Sequence, residues 1–210
     1  MTGLRMGKTL RKSSAFQALS KRTRTVRHLA VKLLAPRIFE VFVGIPRPMI
    51  KFISQRENNK RLVGVEIGVS TGANARRILE LLPIKMLYLV DPYLPYLEEG
   101  KTVNTSIGYP KARAKLAGYT DKIKFILKES VKAKKEIPDD LDFVYIDGNH
   151  SYEAVKQDIA AYYPKVKKNG VIGGHDFTST CMGVCKAVFE FAETENLDLH
   201  GLCPDWWIIK

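Results

Sequence analysis

A chain of 210 residues, 45% hydrophobic and 27% charged, has material for one domain of roughly 100 to 200 residues plus an extension, which excludes a second full domain and bulk disorder. Its formal charge of +12 is unevenly spread: ten Lys or Arg and no Asp or Glu precede Glu40, leaving 24 basic against 22 acidic residues in the remainder. That near-neutral remainder argues against a broad nucleic-acid track, and no run reaches the roughly 18 to 20 apolar residues of a membrane-spanning helix.

Residues 1–25 are basic, rich in Ser and Thr and poor in large apolar side chains, the composition of a tail or fraying helix. Their Arg-rich, acid-free character overlaps with that of an organellar transit peptide, so import stays open beside a cytoplasmic location. From Val26 onward Leu29, Leu33, Leu34, Ile38, Val41 and Phe42 recur at spacings of three and four, predicting an amphipathic helix that carries Arg27, Lys32 and Arg37. Such a helix packs on the following domain or rests on an anionic membrane surface or a partner, a second copy included. Pro46-Arg47-Pro48 interrupts it, and Met49 to Arg56 reads as another short helix. Residues 1–60 are therefore taken as a basic, largely helical extension and 61–210 as the main domain.

Within 61–210, short β-rich runs alternate with helical stretches. Strands are expected at Leu62–Ile67, Met86–Val90, Ile123–Leu127, Leu141–Ile146, Val171–Gly174 and, at the end, Trp206–Ile209. Helices are expected at Ala75–Leu82, Lys111–Ala117, Tyr152–Val166 and Met182–Thr194. This alternation predicts an α/β fold with a mainly parallel sheet and helices on both faces. Cys181, Cys185 and Cys203 make an odd count with no zinc-site spacing, which suits a reducing compartment.

Ligands of open α/β sheets bind beyond the carboxyl ends of the strands, so the strand ends carry the functional information. The first runs into Glu66-Ile67-Gly68-Val69-Ser70-Thr71-Gly72, a ligand-binding turn whose spacing differs from the G-x-G-x-x-G pyrophosphate cradle and disfavours a nicotinamide enzyme. The second ends at Asp91, placed to accept from ribose hydroxyls, and the third is followed by Glu129-Ser130, suited to an adenine edge. A glycine turn, a ribose-bonding acid and no phosphate cradle describe an adenosine-type ligand.

These residues, with Asp91-Pro92-Tyr93, the run Tyr145-Ile146-Asp147-Gly148-Asn149-His150-Ser151-Tyr152-Glu153, Gly173-Gly174-His175-Asp176 and Asp205-Trp206-Trp207, resemble the class I methyltransferases. Within that superfamily they most resemble the methyltransferase 24 family, which includes macrolide-sugar O-methyltransferases. The resemblance spans about Arg61 to Lys210 and implies a Rossmann-like, seven-stranded sheet that binds S-adenosylmethionine. It implies that Glu66, Gly68, Ser70 and Gly72 line the methionine and ribose part of that cofactor, with Asp91 on the ribose and Glu129 and Ser130 near the adenine. Metal-dependent relatives imply a divalent cation, Mg, Mn or similar, on Asp147, His175 and Asp176. The alternative is that Asp147 positions the sulfonium or acceptor directly and His175 bonds within the strand end. His175 departs from the carboxylate that relatives often have, and imidazole suits Mn, Fe or Zn better than Mg. His150, in the Asp-x-x-His arrangement, maps onto the base of the sugar O-methyltransferases, with Asn149 and Tyr152 as acceptor contacts. The implied reaction moves a methyl group to a hydroxyl of a small molecule or sugar. Methyl transfer to RNA or protein, and a non-catalytic membrane-associated cofactor-binding protein, stand as rivals.

Overall fold

The computed structural model describes residues 47–56, 61–98 and 100–210; the amphipathic helix expected at 26–42 and the basic tail before it lie outside the described residues. Helix α1 (Pro48–Arg56) precedes strand β1 (Leu62–Ile67), followed by α2 (Ala73–Leu81), β2 (Ile84–Val90), the short strands β3 (Tyr96–Glu98) and β4 (Lys101–Val103), and α3 (Gly108–Lys115). The chain continues through β5 (Ile123–Ile126), α4 (Ser130–Ala133), β6 (Leu141–Ile146), α5 (Tyr152–Tyr162), β7 (Val166–Gly174), α6 (Met182–Thr194), β8 (Leu199–Leu202) and β9 (Asp205–Ile209).

Seven strands form one sheet in the order β5-β2-β1-β6-β7-β9-β8. The four pairings that join β5, β2, β1, β6 and β7 are parallel, and β9 is antiparallel to both β7 and β8. This is the Rossmann-like, mainly parallel seven-stranded architecture expected. Period-two alternation splits the core across the sheet: on β6, Val144 and Ile146 pack with α5 and α6, while Phe143 and Tyr145 pack with α1, α2 and α3. On β9, Trp206 and Ile208 face the first layer and Trp207 the second.

Met49, Ile50 and Ile53 of α1 are all at most 2% exposed and belong to the second layer, beside Leu62, Ile78 and Leu87. Helix α1 thus covers part of the sheet and belongs to its core. Local chemistry sets the helix ends. Pro83 follows the C-cap of α2 at Leu82, and the Ser151 hydroxyl accepts from the Ala154 N–H to cap α5. The expected helix at 152–166 ends early, at Tyr162, because Pro164 enforces a tight turn over Tyr163–Lys165 and β7 already begins at Val166. Among the described residues no helix is long and apolar enough to cross a membrane.

Candidate active site

The strand order reverses between β1 and β6, since the chain winds outward through β2 and β5 on one side and through β7 on the other. That switch point is where an open α/β sheet leaves a crevice. A cleft of about 610 Å³ opens there, within the range of small-molecule sites. Glu66, Gly68, Ser70, Asp91, Glu129, Ser130, Asp147 and His150 all line it, so the tips of β1, β2, β5 and β6 converge on one space.

The glycine turn is built by close approach. Gly68 has φ of 83°, and a Cβ on it would stand 2.1 Å from the Asp147 carbonyl oxygen, so only glycine lets the β1 and β6 loops touch. The Asp147 N–H donates to the Ile67 carbonyl at 2.7 Å across the same gap. Gly72, φ 72°, starts α2 and lies against Ala112 of α3, so it supports the turn from behind. Asp91, 5% exposed, accepts the Val69 and Ser70 N–H groups on Oδ2 and the Tyr93 N–H on Oδ1. It therefore fixes the turn as well as facing the cleft.

Glu66 is fully buried; its Oε1 accepts from Asn74 Nδ2 at 2.9 Å, and its Oε2 has no partner. Burial, reinforced by the charges of Asp147 and Asp91 and opposed by the Asn74 bond and Arg47, pushes its carboxyl from 4.5 up to about 8. The folded protein thus holds this proton where an unfolded chain releases it. The resulting stability is complete below pH 4.5 and is lost as pH rises through 8. Asp158 and Asp205, both raised by burial to about 6, add losses at lower pH. Glu66→Gln should therefore flatten stability specifically between pH 6.5 and 8.5, removing a decline on the order of 2 kcal/mol. Urea midpoints across that range measure it, and a slope persisting in the variant would place the titration elsewhere.

Beyond the tip of β5, Glu129 is exposed and pairs with Lys132 at 2.8 Å. The Ser130 hydroxyl is bonded to Asp158 of α5, which is 4% exposed and also lines the cleft. The residue facing this end of the cleft from below is thus Asp158, which the sequence reading passed over.

At the other end stands a cluster of charge. Asp147, His175 and Asp176 bring one ligand atom each within 4.8 Å of one another, a donor set that suits a divalent cation. His175 Nδ1 lies 3.0 Å from Asp176 Oδ2 and 3.7 Å from Asp147 Oδ1. His150 reaches Glu98 of β3 through Nδ1 at 2.9 Å, and its Nε2 is 2.9 Å from Asp176 Oδ2 and 4.0 Å from Asp147 Oδ1. Burial opposes the charged imidazole, but Asp147, Asp176 and Glu98 outweigh it and push His150 from 6.5 up to about 11. In this arrangement the imidazole holds its proton. Asp176 is driven far below the carboxylate range, because His150 and His175 overcome its burial.

Two further residues were missed. Arg47, from the Pro46-Arg47-Pro48 step, lines the cleft, pairs with Asp147 Oδ2 at 3.1 Å and donates to the Tyr145 hydroxyl at 3.2 Å. Glu98 lies on the β3–β4 hairpin, joined to the β6 loop by the Asn149 amide donating to the Leu97 carbonyl at 3.1 Å. Asn149 therefore meets a neighbouring loop here, and the Tyr152 hydroxyl bonds Glu190 of α6.

A family model described as a methyltransferase domain, family 24, matches residues 65–177. No curated protein matches the chain significantly in sequence. Among solved structures, a Corynebacterium glutamicum protein superposes with a TM-score of 0.58 at 18% identity, covering 94% of this chain and 97% of that one. The O-methyltransferase NovP gives 0.57 at 17% identity, with 77% and 79% covered. The mycinamycin-pathway methyltransferase MycE, solved with Mg, S-adenosylhomocysteine and mycinamycin VI, gives 0.54 at 16%, with 86% of this chain and 54% of that chain covered. At these identities the superpositions establish the shared fold.

Proposed function

The chain belongs to the methyltransferase 24 family of S-adenosylmethionine-dependent enzymes, and from that premise we propose that it methylates a hydroxyl group of a small molecule or sugar. The observation that carries this reading is the meeting of Asp147 and His150, which line one end of the switch-point cleft, with His175 and Asp176, which adjoin them but do not line it. NovP is an O-methyltransferase and MycE was solved with Mg and mycinamycin VI, which supports extending the acceptor class and the cation to this chain.

Bound in this cleft, S-adenosylmethionine would be held between that cluster and the opposite end, where the Ser130–Asp158 pair is placed for the adenine edge. The Gly68 turn lets backbone approach the ribose, and Asp91 both receives the ribose hydroxyls and holds the turn in register. Four acidic side chains (Asp91, Glu129, Asp147 and Asp158) line the cleft beside the protonated Glu66, a field suited to a sulfonium cation.

Asp147, His175 and Asp176 are the residues to hold a divalent cation. Such a cation would supply Lewis-acid chemistry there, lowering the pKa of an acceptor hydroxyl. In its neutral form His150 is the base placed to take the hydroxyl proton on Nε2, with Glu98 fixing the ring through Nδ1. The remaining catalytic contribution is alignment of the acceptor oxygen with the methyl carbon and exclusion of water.

The test is transfer of labelled methyl from S-adenosylmethionine to a panel of phenols and glycosides with and without Mg or Mn, using native protein and His150→Gln. Transfer that requires a hydroxylated acceptor and falls on the order of a hundredfold or more in the variant is expected. Cofactor binding with no transfer to any hydroxyl, or transfer indifferent to His150, overturns the reading.

A further inference from the structure

We infer that Arg47, contributed from outside the matched methyltransferase region, is the clamp for the carboxylate of the cofactor's methionine tail. This inference rests on the cofactor reading above and assigns one more residue of that site.

The cofactor tail carries two opposite charges, an ammonium and a carboxylate, and each needs a partner once it leaves water. Arg47 is the only Lys or Arg among the described residues that line the cleft, against five acidic side chains, of which Glu66 holds its proton. The other cationic side chain of the lining, the His150 imidazole, is already paired with Glu98 and Asp176, so an anionic group entering this space finds its free donors at that guanidinium. Glu66 supplies the complementary half: it is fully buried, lines the same cleft, and its Oε2 lacks any hydrogen-bond partner. A buried carboxyl oxygen left without a partner is costly, and an incoming ammonium satisfies it.

Arg47 is also held as a binding residue has to be. Its guanidinium stacks over the Tyr145 ring, 5.8 Å from the centroid, and donates to that hydroxyl. Tyr145 in turn donates to Asp205 Oδ1 at 2.9 Å, while Asp205 Oδ2 accepts the Met49 N–H at 3.0 Å, two residues beyond Arg47. Backbone and side chain are thus anchored to the same fully buried carboxylate. The contacts described so far use Nη1 toward Tyr145 and Nη2 toward Asp147, and a guanidinium carries five N–H groups, so donors remain for a second carboxylate. The Pro46-Arg47-Pro48 step restricts the chain on either side of that side chain.

Calorimetry with two ligands tests this: S-adenosylhomocysteine, and its decarboxylated analogue 5′-deoxy-5′-(3-aminopropylthio)adenosine, which keeps the ammonium and lacks only the carboxylate. Native protein should prefer the first by about tenfold to a hundredfold, the worth of one charge-assisted hydrogen-bond set. Arg47→Gln should bind the two nearly equally, by losing affinity for the carboxylate-bearing ligand alone, and Arg47→Lys should keep an intermediate preference. The Lys variant also serves if the Gln variant fails to fold. A preference left unchanged in both variants overturns the clamp while leaving the cofactor reading intact. Native protein that binds neither ligand overturns the cofactor reading and this inference together.

Discussion

Asp147→Ala is expected to lower methyl transfer by about three orders of magnitude, near the middle of the range for loss of a positioned acid–base or metal-bearing group. Its carboxylate lies within 4.0 Å of three partners: Arg47 at 3.1 Å, His175 at 3.7 Å and His150 at 4.0 Å. Removing it takes one of three atoms from the candidate cation set and leaves Arg47 without its pair. The ground-state cost is small by comparison, because the main chain of residue 147 keeps its bond to Ile67 and its packing against Gly68. Affinity for S-adenosylhomocysteine should therefore change less than tenfold while transfer collapses, the pattern of an interaction made at the reacting centre. Calorimetry paired with single-turnover transfer separates the two. A variant that retains transfer within tenfold of native would remove Asp147 from the chemistry.

The parallel strands and β9 were legible because each carries an apolar run, whereas β8, Leu199–Leu202, is mostly exposed and went unread. Leu62–Ile67 ends on Gly68 and Leu141–Ile146 on Asp147, and parallel pairing of those strands then places both residues at one switch point. The hairpin of β3 and β4 was not legible, since strands of three residues leave no hydrophobic period to read and Leu97 is 70% exposed. With it went Glu98, which touches His150 only through a contact spanning 52 positions. Arg47 was hidden for a different reason. A Pro-Arg-Pro step reads locally as a break, and its place in the cleft depends on bonds to Tyr145 and Asp205 that span 98 and 156 positions. Asp158 looked like one more polar position on an amphipathic helix, and only the packing of α5 against α4 turns it toward the cleft and onto Ser130. The order of site residues along the chain was thus readable from strand ends, whereas residues carried in by helices and loops required the fold.

Gly68→Ala is the substitution with the largest expected effect on stability. A methyl group there would fall 2.1 Å from the Asp147 carbonyl oxygen, 2.5 Å from its carbon and 2.6 Å from Gly148 Cα, all of them backbone atoms that no rotamer change can move aside. The φ of 83° adds the strain of an L-residue in a glycine conformation. Together these should cost more than about 3 kcal/mol, since the β1 and β6 loops must part for the methyl to fit. In a chain of this size that lowers the melting temperature by about 10 °C. Gly72→Ala supplies the scale: its φ is similar at 72°, but its new methyl would meet Ala112 and Leu116 only at 3.2 to 3.3 Å. Its cost should stay near 1 kcal/mol, the backbone strain with little steric addition. If the cleft is held open by contact between the two loops, Gly68→Ala also loses S-adenosylhomocysteine binding under conditions where it is still folded, while Gly72→Ala keeps it. Equal losses of stability in the two variants would mean that strain alone, and not the approach of Gly68 to Asp147, governs this turn.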